Sequence, residues 1–74
     1  MARLPVVSGQ QMAKALERIG YEFSHQKVSH MILRLKDPPH RRLSVPDHKE
    51  LSKGLLRGLI RDAGLTVDQF TKLL

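Results

Sequence analysis

The 74-residue chain contains no cysteine. It therefore has no disulfide, and no thiolate to hold a metal or attack a substrate. The same absence fits a reducing cytosol. Aromatic residues are scarce, one Tyr and two Phe, which is too few for a platform that stacks the bases of a single strand. No apolar run approaches the roughly 20 residues needed to cross a bilayer. The opening MARLPVVSGQ has one Arg and too short an apolar stretch for a secretion signal. No HExxH, carboxylate cluster or Cys/His quartet is present, so the sequence offers neither a metal site nor a cofactor motif.

Acidic residues are also few. Seven Asp and Glu stand against thirteen Lys and Arg, for a formal charge of +6. In so small a body this charge points to a polyanionic or acidic partner, nucleic acid first among them. A membrane surface fits less well, because no segment combines a wide apolar face with a basic one. The length corresponds to one domain over residues 1–74. A chain of this size buries only about 60% of its unfolded surface, so the core is thin.

Residues 1–7 read as a short leader, with Pro5 opposing early helix. Ser8 opens a helix. Its spacing to Gln11 is that of a capping box, and Met12, Ala15, Leu16 and Ile19 share one face. Gly20 supplies the stop. The period then changes to two. Tyr21 to His25 reads as a strand with Tyr21 and Phe23 in the core, and Gln26–Val28 as a turn. Ser29 to Lys36 is a second strand, with Met31, Leu33 and Leu35 on one face and His30, Ile32 and Arg34 on the other. Asp37 to His40 is a loop, because its two prolines remove ladder donors. A third strand spans Arg41 to Pro46, with Leu43 and Val45 facing one way. After a polar connection come a helix over Gly54–Ala63, a Gly64 stop and a short helix over Val67–Leu73 started by Thr66 and Gln69. The expected class is α+β: helix, three antiparallel strands, helix and a short last helix, with helices on one sheet face. So short a chain cannot also cover the other face, which leaves His30, Ile32 and Arg34 exposed.

The run KVSHMILR, followed by VPDHKELSKGLLRGLIRDAGL, resembles the HicA family of small toxins from bacterial toxin–antitoxin pairs. The family pattern is a Lys-Gly-Ser-His turn into a strand, then Val-Pro-x-His, then a Lys-Gly-led helix ending in Ala-Gly. The resemblance runs from about Ser8 to Phe70, with LERIGYEF similar to the family's first helix and strand. It implies a fold like the double-stranded-RNA-binding domain and a cytoplasmic enzyme that cleaves mRNA through one histidine. It also implies a HicB-like antitoxin as partner, assembled with the toxin as an oligomer, and no cofactor. The catalytic histidine falls on His30, with Lys27 and Ser29 as its flanking residues, and His48 matches the second histidine. Val28 stands where the family has glycine.

The chemistry can be reasoned from the residues themselves. RNA carries its own nucleophile in the 2′-hydroxyl. Cleavage needs that proton removed, charge on the phosphorane stabilised and the departing 5′ oxygen protonated. Histidine exchanges protons near neutral pH and suits the first or last task. Lys27, Arg34 and Arg41 or Arg42 are candidates to hold phosphate charge, and Ser29 to orient the imidazole. His48 reads equally as a second site group or as a hydrogen bond at a helix entry. His25 and His40 read as solvated residues. Arg41-Arg42 serves either a phosphate or the protection of an edge strand. From the residues alone His30 could also simply cap a strand; the resemblance favours catalysis. Two other classes stay open: a non-catalytic RNA-binding module using the same basic face, and an adaptor for an acidic protein.

Overall fold

The computed structural model of the chain describes residues 3–74; the first two residues of the expected leader lie outside the described residues. Helix α1 spans Gly9–Glu17 and begins at the expected capping box. The Ser8 hydroxyl accepts from the Gln11 N–H at 3.1 Å, and the Gln11 side-chain oxygen accepts from the Ser8 N–H at 2.8 Å. Met12, Ala13, Ala15 and Leu16 are buried along one side of the helix. Gly20 then takes φ +104°, a region open to glycine, and its carbonyl accepts from the Lys36 N–H at 2.9 Å.

Strands β1 (Tyr21–Lys27), β2 (His30–Leu35) and β3 (Arg42–Pro46) form one antiparallel sheet in sequence order. Helices α2 (Lys53–Asp62) and α3 (Val67–Thr71) complete the chain. Each element lies within two residues of its expected bounds. Ser52 caps α2, accepting from the Leu55 N–H; this is why α2 starts at Lys53 rather than Gly54. One sheet face carries Tyr21, Met31, Leu33, Leu43 and Val45, all buried against Met12, Leu16, Leu56, Leu59, Ile60 and Phe70. Val7 is buried as well, and its carbonyl accepts from the Leu51 N–H at 2.9 Å. That bond ties the approach to α1 to the approach to α2.

Two features depart from the alternation expected for β1. Phe23 pairs with the buried Leu33 and so sits on the core side, yet it is 52% exposed. β1 is an edge strand, and the helix layer that buries Tyr21 at its start does not reach as far as Phe23. The second departure is a bulge between Phe23 and His25, which leaves Ser24 without a partner. The extra residue reverses the parity of the strand beyond it. His25 now pairs with Ile32 and Lys27 with His30, so both turn to the face opposite the core.

Helix α1 meets the sheet at one tight point. The Gly9 N–H donates to the His48 carbonyl at 2.9 Å. A Cβ on Gly9 would overlap the Pro46 carbonyl oxygen and crowd the Asp47 backbone. This contact positions the residues that follow β3, His48 among them.

Candidate active site

The uncovered face of the sheet carries Glu22, His25 and Lys27 from β1, His30, Ile32 and Arg34 from β2, and Arg42 and Ser44 from β3. The cause is elementary. Alternation sends Met31 and Leu33 into the core, so their neighbours must face the other way. His30 is exposed, as the alternation of β2 predicts. Histidine in this apolar strand therefore lies outside the apolar layer.

Lys27 stands directly across the ladder from His30, and Pro46 flanks His30 on the other side. Paired strand residues have Cα atoms about 5 Å apart, so an ammonium and an imidazole can reach one phosphodiester. Arg34 and Arg42 also pair across β2 and β3 on this face, but four residues along a strand separate them from His30 by about 13 Å. They can touch a bound backbone only at a distance from the group at His30. Arg34 also holds Glu22 at 3.8 Å.

Arg41 does not join this face. Its guanidinium reaches the Asp62 carbonyl at the end of α2, at 3.5 Å, where a cation complements the helix terminus. The Arg41-Arg42 pair is thus split between the two sides of the sheet. Ser29 lies in the turn, and its carbonyl accepts from the Asp47 N–H at 2.7 Å. That bond ties the residue before His30 to the segment containing His48, which is exposed at the same end of the sheet.

The four histidines separate by hydrogen bonding. The His40 ring bonds the Leu35 carbonyl at 3.1 Å, and the His25 ring meets the Ser24 hydroxyl at 3.0 Å. The rings of His30 and His48 have no hydrogen-bond partner among the described residues. His25 reaches the open face only through the bulge, for which the sequence carries no clear signal. Among the described residues no group of three or more His, Asp or Glu side chains converges to hold a metal ion.

The turn before His30 is Val28–Ser29, one step later and shorter than Gln26–Val28, because Lys27 and His30 pair directly. Val28 has φ +58° and is 90% exposed. A two-residue hairpin turn requires a positive φ at its first central residue, where glycine is preferred. A β-branched residue there costs about 1–2 kcal/mol, and glycine gives back part of that gain as unfolded-state entropy. Val28→Gly is therefore expected to raise stability by roughly 0.5–1 kcal/mol and Tm by a few degrees. A thermal melt with unchanged or lower Tm would contradict the strain assigned to Val28.

Among the described residues no helix is long and apolar enough to cross a membrane. Comparison with curated proteins gives no match. The family model described as HicA toxin of bacterial toxin-antitoxin matches residues 9–65. That range takes in α1, all three strands and α2, well over half of the chain, and with it the hairpin that presents His30: the chain belongs to the HicA family of bacterial toxins.

Proposed function

We propose that this toxin is a metal-independent endoribonuclease that cleaves mRNA in the cytoplasm, with His30 as its catalytic residue. One observation carries the reading. His30 is an exposed imidazole, committed to no hydrogen bond among the described residues, on a bare sheet face and directly opposite a lysine. A structural histidine would look like His40, half-buried and bonded to a backbone carbonyl.

In this mechanism His30 accepts the 2′-hydroxyl proton as the 2′ oxygen attacks the adjacent phosphorus. The P–O5′ bond breaks as the departing oxygen takes a proton from solvent, and His30 releases to solvent the proton it accepted. No co-reactant is consumed. Lys27 stabilises the charge that builds on the phosphorane. Arg34 and Arg42 hold the RNA backbone farther along the face, and Ser29 fixes the hairpin that aims the imidazole. The toxin's partner is an antitoxin of the HicB kind. Covering the His30 face would silence so small an enzyme by the simplest route.

The test is the chemistry of the ends. Purified protein incubated with RNA is expected to leave 2′,3′-cyclic phosphate and 5′-hydroxyl termini. Fragments with 5′-phosphate ends would mean attack by an external water, and His30 would not be the base that deprotonates a 2′-hydroxyl. Intact RNA that is nonetheless bound would favour a binding module. Lys27→Ala is expected to weaken RNA binding at every sequence and to reduce the salt dependence by slightly under one unit in the log–log slope. An unchanged slope in salt-titrated binding would take Lys27 away from the phosphate.

A further inference from the structure

Beside His30, at the same end of the sheet, Ser8, Gln10, Asp47, His48 and Lys49 line an open cavity of about 290 Å³. Two bonds anchor it: the Asp47 N–H to the Ser29 carbonyl at 2.7 Å, and the Gly9 N–H to the His48 carbonyl at 2.9 Å. The Gln10 amide donates to the Asp47 carboxylate at 3.4 Å.

The informative residue is the acid. A carboxylate beside a phosphate-binding face repels the backbone it adjoins. Glu22, on the open face, is neutralised by Arg34 at 3.8 Å. Among the described residues Asp47 is bonded by the Gln10 amide and by no cation, so its charge is left for another donor. An ionised carboxylate can only accept hydrogen bonds. On a nucleic acid its natural partners are the N–H groups of a base edge, and single-stranded RNA is read on those edges. Guanine offers two adjacent donors, N1–H and N2–H, which match the two carboxylate oxygens. It offers the O6 acceptor beside them, which the Gln10 amide can serve. Adenine and cytosine each set a single donor next to an acceptor, and uracil sets its one N–H between two carbonyls. The His48 ring supplies a surface on which a base can stack, and Lys49 a cation for its phosphate.

We propose that this cavity is a specificity site that reads a guanine next to the cleaved phosphodiester, with Asp47 and Gln10 taking its Watson–Crick edge. The placement beside the scissile bond rests on the ribonuclease reading; the cavity's preference for guanine does not.

The experiment has two arms. In the first, wild-type protein and Asp47→Asn are given RNA oligonucleotides that differ only in one base, and cleavage is mapped. Wild type is expected to favour bonds flanked by guanine on the order of 10- to 100-fold, and Asp47→Asn to lose that preference. In the second, binding of the same oligonucleotides is measured by fluorescence anisotropy with His30→Ala and with His30→Ala/Asp47→Asn. The guanine preference should appear in the former and vanish in the latter. No cleavage by wild type together with an Asp47-dependent guanine preference in binding would sink the ribonuclease reading and keep the cavity. Cleavage without base preference, or a preference that survives Asp47→Asn, would overturn the cavity and keep the enzyme. Should Asp47→Asn lose its folded circular dichroism, Gln10→Ala at the other wall decides; it too must weaken the preference.

Discussion

Replacing His30 by alanine is expected to slow RNA cleavage by about 10²- to 10⁴-fold, the usual worth of a general acid–base group. Growth inhibition on expression should disappear with it. The fold should not change. The His30 side chain is exposed and makes no hydrogen bond among the described residues, and surface substitutions of this kind usually fall within about 0.5 kcal/mol of neutral. Binding of the antitoxin should also survive, since one exposed imidazole is a small part of any surface large enough to form a stable complex. The control is the matched pair: wild type and His30→Ala purified identically, with Tm and cleavage both measured. Equal degradation of RNA by the two would mean a contaminating nuclease or a different catalytic group. Lost cleavage with a lowered Tm would assign His30 a structural part that its surroundings do not suggest. His40→Ala should show the reverse pattern, because that ring holds the Leu35 carbonyl at 3.1 Å.

The largest effect on stability is expected from Gly9→Ala. A methyl group usually favours a helix over glycine by about 1 kcal/mol, so an ordinary helical glycine would gain from this change. Gly9 is not ordinary. Its added carbon would overlap the Pro46 carbonyl oxygen and press on the Asp47 backbone. These are main-chain atoms, which cannot rotate away as a side chain would. The helix must lift, and the bond from the Gly9 N–H to the His48 carbonyl must stretch. Overpacking costs typically about 1–3 kcal/mol, and the upper end applies where the obstacle is backbone. For a domain of this size Tm should fall by on the order of 10–20 °C. Gly54→Ala is the contrast. A Cβ there meets nothing within 4 Å, so this change should leave stability unchanged or raise it slightly. A Gly9→Ala melt that matched wild type would show that α1 and β3 can separate at no cost.

Much of the fold was legible because its signals are local. Ser8 with Gln11, and Thr66 with Gln69, are three residues apart and make both expected capping boxes. Leu33 and Leu43 mark their strands by alternation and face each other across the ladder. What was illegible depends on a partner. Nothing in Tyr21–Lys27 declares the bulge at Ser24, because a bulge is a relation between two strands. Phe23 satisfies every rule for a core residue and is half-exposed because the helix cover that buries Tyr21 at the start of the strand does not extend to it. Arg41 and Arg42 are neighbours with identical charge, and pleating alone sends one to the helix layer and leaves the other on the open face.

The same division runs through the candidate site. The sequence by itself determined that His30 would be exposed, since Met31 and Leu33 are too apolar to face water and a strand alternates. It also placed a turn between the first two strands, although the two-residue Val28–Ser29 form and the positive φ at Val28 emerged only from the pairing of Lys27 with His30. Only the tertiary structure decided what surrounds the histidine. Pairing across the ladder brought Lys27 to it, and distance along the strand set Arg34 and Arg42 apart. The close passage of Gly9 over Pro46 assembled Gln10, Asp47 and His48 at its side. Periodicity assigns a residue to a face; its neighbours on that face come from strand register and helix packing, which join residues far apart in the chain.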